Sequence, residues 1–295
     1  MTEPPQISVV MVSWNCRDEV LACLDSIQRH PPACPWEVVV VDNGSRDGTV
    51  EAVRESYPGV QVVANDNNRG LSFANNQGMA ATTGDTIVFT NPDVLFHETT
   101  LDAVRDCFVR RPRAGLLALR LTWPDGVVQT STGDLPLLGE SLRGRQLQRA
   151  LSDGSPTGYC WDGWPHDEER LTGRAGDACY AARRRAVLEV GAQDERFPLD
   201  WEAIDWSRRM RDAGWEIWFT PTAHVTHLGG ASTSNAPAFR YVWQTHLGMA
   251  YYFAKAAPAG LRPAVHLIFR LRALAKWCLM AAGVPMWRLA HRGRT

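Results

Sequence analysis

The sequence predicts an α/β fold, a three-layer sandwich with helices on both faces of a mostly parallel sheet. First, short apolar and β-branched runs at residues 7–12, 37–41, 60–63 and 87–89 alternate with segments whose apolar residues recur at helical spacing. Such alternation calls for parallel strands joined by right-handed crossovers. Second, each of these runs stops at a polar loop, so the loops gather along the carboxyl edge, where open α/β sheets hold their ligands. Third, 295 residues at 45% hydrophobic and 21% charged give an ordinary globular composition, with enough chain to bury strands on both faces.

The run 7–12 ends in Ser13-Trp14-Asn15, and residues 18–29 follow with apolar positions at Val20, Leu21, Leu24 and Ile27: strand, loop, helix. Residues 37–41 form a second buried strand, followed by the turn formers of 42–49 and a helix over 49–55. A third strand at 60–63 leads into the polar loop 65–70 and a helix through 74–81. Ile87, Val88 and Phe89 read as a central strand. Pro92 ends it, because proline cannot donate to the ladder, and Asp93 is thereby delivered to the strand's end. A helix over 101–109 and a strand over 114–121 come next. Residues 123–173 are rich in Gly, Pro, Asp and Ser, with a basic run around Arg143 and Arg145 and an aromatic cluster of Tyr159, Trp161 and Trp164. They read as a functional lid. Residues 177–182 are a strand, 186–190 a helix, 197–210 a loop that becomes a helix, and 216–219 a short strand, followed by a turn, an extended piece and a glycine loop through 232.

Asp42 is the first residue past its strand. Its carboxylate can accept from the N3–H of a uracil or thymine ring, with Ser13 and Asn15 as further contacts, and it could equally cap the next helix or close an Asx turn. Arg69, in a glycine-containing loop, suits a phosphate through a bidentate pair or is simply solvated. Asp200, Glu202 and Asp205 fall close together around Trp201 and Trp206, with Glu202 in a first helical turn whose dipole favours its charge. His224 and His227 are three apart, so in an extended segment they face opposite sides, and at most one enters a site. The absence of GxGxxG and GxxxxGK[ST] at these loops speaks against a Rossmann dehydrogenase and a P-loop enzyme.

The formal net charge of −1 hides an asymmetry. No Asp or Glu follows Glu216, whereas nine Lys or Arg do, which leaves 22 basic against 32 acidic residues up to that point. A uniformly basic tail expects an anionic partner. On a helical wheel, Leu267, Ile268, Leu271, Leu274, Ala275, Cys278 and Leu279 share one arc, and Arg262, His266, Arg270, Arg272 and Lys276 the other. Phe269, Trp277 and Met280 blur the polar side. Seven scattered cysteines without a CxxC pair argue for reduced thiols in a cytoplasmic protein. The first residues have neither the basic nor the apolar region of a secretory signal, and the chain contains no uncharged apolar run of about 18 residues or more.

Together, the stretches 12–15, 41–49, 68–70 with 75–78, 91–93, 201–206, 214–215 and 224–232 resemble the family 2 glycosyltransferases with the GT-A fold, and among them the bacterial rhamnosyltransferase-like branch. The resemblance spans about residues 7–232. It implies a GT-A domain over 1–235, with a nucleotide-binding half at about 1–121 and an acceptor half at about 122–235, and then a basic helical extension over 236–295. It also implies inverting transfer of a sugar, with rhamnose from dTDP-rhamnose as the leading example. The donor would be a dTDP- or UDP-sugar and the acceptor a saccharide or polyprenyl-linked molecule of cell-surface glycan assembly; no nucleic acid takes part. On this resemblance Asp42 holds the base, and Ser13, Asn15, Arg69 and Asn91 line the donor site. Asn91-Pro92-Asp93 stands in place of the family's Asp-x-Asp motif, and Asp93 with His227 binds Mg²⁺ or Mn²⁺ at the diphosphate.

The family usually carries Glu-Asp at its base motif, where this chain has Glu202-Ala203. Glu202 is the favoured base, with Asp200 and Asp205 as open alternatives. Ala203 also keeps open a catalytically silent nucleotide-sugar-binding or scaffold protein of the same fold. The basic region 255–295 is expected either to touch the anionic inner face of the membrane peripherally or to pack on the catalytic domain with its basic face in water.

Overall fold

The computed structural model describes residues 6–143, 161, 164–176, 178–198, 201–229 and 238–281. Arg145, Tyr159, Asp177, Asp200 and the end of the glycine loop lie outside the described residues. One mixed sheet is built from β1 (Ile7–Ser13), β2 (Trp36–Asp42), β3 (Gln61–Ala64), β4 (Thr86–Thr90), β5 (Val94–Phe96), β6 (Ala114–Thr122), β7 (Val128–Gln129), β8 (Arg170–Leu171), β9 (Cys179–Arg183) and β10 (Glu216–His227). Its order is β3-β2-β1-β4-β9-β6-β10-β5, with β7 on β6 and β8 on β10. The helices are α1 (Arg17–Arg29), α2 (Thr49–Ser56), α3 (Leu71–Ala80), α4 (Thr100–Arg110), α5 (Leu138–Arg143), α6 (Arg184–Val190), α7 (Glu202–Asp212), α8 (Ala238–Ala256) and α9 (Arg262–Ala281).

Strands β3, β2, β1 and β4 run parallel, as the strand–helix alternation requires. Strand β9 enters antiparallel between β4 and β6, whereas β10 runs parallel to β6 and antiparallel to β5. On one face Val20, Leu24 and Ile27 of α1, Val53 of α2 and Leu101 and Val104 of α4 pack against Val9, Met11, Val40, Leu117 and Leu119. On the other, Ala186 of α6 and Trp206 and Met210 of α7 pack against Phe89, Leu116, Tyr180 and Phe219, and Ala74 of α3 against Val39 and Val41. Strands covered on both faces carry apolar residues at successive positions, which makes them legible as unbroken runs.

Three features depart from the sequence reading. Residues 94–96 form a strand of their own, and β10 does not stop at Phe219 but continues to His227. The register of β10 on β6 shifts between Thr220 and His224, around Pro221, whose missing N–H interrupts the ladder. Trp161 and Trp164, expected in a lid, are 3% and 7% exposed and belong to the core, where Trp164 meets Phe219 edge-on at 5.0 Å.

The basic extension packs directly on the sheet domain. Ala250, Tyr252, Phe253 and Ala254 of α8 bury Phe197, Trp201 and Ile204, and α9 closes over them through Val265, Phe269 and Ala273. Phe269, which blurs the polar arc of the wheel, is the anchor, stacked on Phe253 at 5.4 Å. The apolar arc faces outward: Leu267, Ile268, Leu271, Leu274 and Leu279 are 44–58% exposed.

Candidate active site

The strand ends bring Ser13, Asp42, Asn91, Asp93 and His227 to one edge of the sheet, as the parallel order demands. Asp42, opposite Ser13 in register, is 1% exposed. Its Oδ1 accepts from the Ser13 hydroxyl (2.9 Å) and from the Ser45 hydroxyl, and its Oδ2 from the Ser45 amide (2.8 Å) and the Gly44 amide (3.2 Å). This is the Asx-turn geometry that the residue type favours, and it shapes the loop after β2. Gly44 has φ +83° and lies so close to the backbone of Asn67 that a Cβ would sit 2.7 Å from its Cα. Asn15, itself at φ +51°, accepts from the Arg46 amide (2.8 Å) and donates its own amide to the Ser45 hydroxyl (2.8 Å), so it ties the first loop to the second. Partial burial raises the Asp47 carboxyl, but hydrogen bonds from Thr49 and from the Arg17 and Thr49 amides outweigh this and hold it below the usual carboxylate range. The Arg69 amide donates to Asn43 Oδ1, while its guanidinium is exposed and lies 3.4 Å over the Phe73 ring.

The Asn91 amide donates to the Ala178 carbonyl (2.8 Å), and Asp93 is buried just before β5. Its carbonyl accepts from the Leu228 amide (2.8 Å), and β5 pairs Val94 with His227. The His227 Nε2 comes to 3.4 Å from Asp93 Oδ2. Gln129 of β7 fixes that imidazole from behind. Its Nε2 donates to the His227 carbonyl (2.9 Å), which leaves Oε1 to face His227 Nδ1 at 2.8 Å. An amide oxygen only accepts, so Nδ1 carries a proton toward Gln129, and Nε2 is the ring nitrogen left to face the Asp93 carboxylate. A ring nitrogen and a carboxylate oxygen facing each other, with the second ring nitrogen held by an amide carbonyl, is a donor set that suits a hard or borderline cation. Trp123 stacks on His227 with ring centroids 6.1 Å apart. His224 turns away instead, stacked on His97 at 4.6 Å and bonded to Thr122.

Glu202 opens α7, is 6% exposed, and carries its charge in the first helical turn. Short links join its helix to the sheet edge. Ala203 lies against Gly176, and Ser207 bonds both the amide and the carbonyl of Ala175. The neighbouring Ala178 carbonyl holds the Asn91 amide. Ala203, the position at which the family usually has its second carboxylate, is thus a packed core position in this chain. Burial, with the nearby charge of Glu202 adding to it, pushes the Tyr180 phenol far above its ordinary value and keeps it neutral. Tyr180 accepts from Gln193, whose Oε1 accepts from Asn75 (3.1 Å), so α3 and β9 are joined beneath the base motif.

Asp205 is fully buried and accepts from Arg208 (3.1 Å), Arg209 (2.9 Å) and Lys255 (2.8 Å). Lys255 also bonds Asp194 (2.8 Å). Burial raises the Asp194 carboxyl, but hydrogen bonds from Arg196 and Lys255 outweigh it and hold the group well below the usual range. Gln129, Tyr180, Gln193 and Lys255 carry no sequence signal: each sits in an aperiodic stretch or meets its partner only across the fold.

A sheet with a polar carboxyl edge, a carboxylate–histidine pair on that edge and a buried glutamate at a helix N-terminus places the molecule among the glycosyltransferases of the GT-A fold. Solved structures agree. The mannosyltransferase PcManGT of Pyrobaculum calidifontis, in complex with GDP-Man and Mn²⁺, superposes with a TM-score of 0.56 at 20% identity over 100% of this chain and 77% of its own. GalNAc-T7, with UDP, GalNAc and Mn²⁺, superposes at 0.58 with 16% identity over 98% of this chain and 58% of its own. The chain belongs to glycosyl transferase family 2, whose sequence profile matches residues 8–163, and is a rhamnosyltransferase-like member of it. The N-acetylglucosaminyl-diphospho-decaprenol L-rhamnosyltransferase of Mycobacterium tuberculosis is 32% identical over 219 residues, 69% of this chain and 70% of that protein. The glycosyltransferase AglE of Haloferax volcanii is 30% identical over 223 residues, 73% of this chain and 64% of its own.

Proposed function

We propose that this enzyme transfers a sugar, with rhamnose the first choice, from a dTDP- or UDP-sugar to a saccharide on a polyprenyl-linked acceptor, with inversion at the anomeric carbon. The observation that supports it best is the Asp93–His227 pair, backed by Gln129, at the edge where the donor loops meet. Among the described residues no group of three or more His, Cys, Asp or Glu gathers to hold a metal ion. Asp93 and His227 would hold a Mg²⁺ or Mn²⁺ ion here, and such an ion would supply positive charge for the departing nucleoside diphosphate.

The chain's own residues do the rest. In this reading Asp42 offers Oδ1 to the N3–H of the base as the Ser13 and Ser45 hydroxyls rotate aside, and Asn15 and Asn91 shape the loops around the donor. Arg69, the exposed cation of the third loop, meets a phosphate. Glu202 takes the proton of the acceptor hydroxyl as its oxygen bonds the anomeric carbon. The bond from that carbon to the diphosphate breaks on the opposite side, which inverts the centre. Asp205, saturated by three cationic partners, positions the helix that carries Glu202. The enzyme works at the cytoplasmic face of the membrane, which the basic 255–295 region contacts.

Calorimetric titration with UDP, dTDP, GDP and CMP, each with and without Mn²⁺, tests the donor site. The expected result is binding of dTDP or UDP that needs the metal and is lost in Asp93→Ala. Binding of no nucleotide under any of these conditions would remove the reading.

A further inference from the structure

Helix α9 is built inside out for a helix bathed only in water. The residues that fasten it to the protein, Val265, Phe269 and Ala273, draw the stems of Arg272 and Lys276 inward with them, and burial pulls both cationic groups below their ordinary values. Meanwhile Leu267, Ile268, Leu271, Leu274 and Leu279, at about a hundred degrees of turn per residue, make a continuous exposed arc from residue 267 to residue 279 of the helix. On the same wheel Arg270, also exposed, borders this arc on one side and Arg272 on the other, with Trp277 beside Arg270. Exposed apolar patches of this extent, rimmed by polar residues, mark interaction surfaces.

We propose that this face of α9 lies flat in the interfacial layer of an anionic bilayer. Charge selects the occupant: α9 carries Arg262, Arg270, Arg272 and Lys276 and no Asp or Glu, so the helix brings charge of one sign only to the rim of this face. A soluble protein partner or a second copy of the chain would bring its own mixture of charges against this rim; a bilayer of anionic lipids presents acyl chains beneath a uniform layer of negative charge. The helix lies on the membrane rather than through it, since no helix among the described residues is long and apolar enough to cross one.

Position follows from the same contacts. Phe269 stacks on Phe253 of α8, and Lys255, two residues further along α8, bonds Asp194 and Asp205 on either side of the base motif. Docking α9 therefore fixes the height of Glu202 over the lipid surface through a chain of buried contacts. That arrangement serves an acceptor whose lipid stays in the bilayer while its sugar reaches up. In this last respect the inference rests on the lipid-linked acceptor proposed above; the docking face itself does not.

The test is flotation of the full chain with vesicles of phosphatidylcholine alone and of phosphatidylcholine with phosphatidylglycerol, alongside dTDP and UDP titration of the same preparations. Flotation with the anionic vesicles only is expected. It should fall about tenfold or more in Leu267→Glu/Leu271→Glu/Leu274→Glu and about fivefold in Arg270→Gln, whose side chain is exposed. Nucleotide binding stays unchanged in both variants. No flotation with either vesicle, or equal flotation of wild type and the triple variant, overturns the proposal. So does a dimer in light scattering that the triple variant abolishes, which would make the face an interface between copies. Vesicle binding without nucleotide binding would leave the docking face standing and remove the donor reading instead.

Discussion

Gln129 decides which nitrogen of His227 is available, and that single amide is the least expected part of the site. Gln129→Leu removes the acceptor for Nδ1–H and lets the ring turn or change tautomer. The expected result is a loss of about 10–100-fold in Mn²⁺ affinity, read by calorimetry or by the electron paramagnetic resonance of free Mn²⁺, with the melting temperature little changed. Glu202 and Asp205 separate by a second measurement. Glu202→Gln should lower kcat by about 10²–10⁴-fold with donor affinity intact. Asp205→Asn should chiefly lower the melting temperature, because Arg208, Arg209 and Lys255 lose their shared carboxylate. Full stability with lost turnover in Asp205→Asn would make Asp205 the base. Asp93 and His227 were both visible in the sequence as candidates. Their meeting was not, since 134 positions separate them and the strand that joins them is three residues long.

The pair β5 and β10 is what turns the strand end at Asp93 into a site, and its far end is pinned by the stacked rings of His97 and His224. Burial lowers the pKa of both imidazoles; the proximity of His30 adds to this for His97, and that of His97 and Arg120 for His224. The folded protein therefore binds fewer protons here than the unfolded chain once pH falls below the ordinary histidine value of about 6.5. The contribution to stability is complete above that value and is lost as pH drops through it toward the lowered folded value. The urea midpoint is expected to be higher at about pH 7.5 than at about pH 5.5, and His97→Gln/His224→Gln should flatten that difference. An unchanged slope in the double variant would assign the pH dependence elsewhere. The central strands were legible because burial on both faces leaves apolar side chains at every position. The antiparallel entry of β9 was not, because its own residues look the same whichever way the strand runs.

At the scale of the molecule, the C-terminal helices are part of the catalytic body. Lys255 reaches from α8 to Asp194 and Asp205, while Trp201, immediately before Glu202, packs on Tyr252 and Phe253. Lys255→Met is expected to cost about 2–3 kcal/mol of stability, read in urea unfolding, since it removes hydrogen bonds to two carboxylates, one of them fully buried. It should also reduce turnover by loosening the N-terminus of α7. Unchanged unfolding and unchanged kcat would show that the helices merely lean on the domain. The sequence marked this region as helical and basic, and it drew an apolar and a basic arc on α9. Which arc turns inward depended on Phe253 and Trp201, residues outside any wheel drawn for α9.

The sequence by itself determined the sheet's parallel core, the edge on which polar loops gather and most of the residues placed there, because those properties follow from local periodicity and from where strands stop. Only the tertiary structure decided that Gln129 holds the His227 ring, that Asp205 is held in ion pairs, that Trp161 and Trp164 are core, and that α9 keeps its apolar arc outside. Each of these is a contact between residues far apart in the chain, and its energy depends on a geometry that exists only after folding.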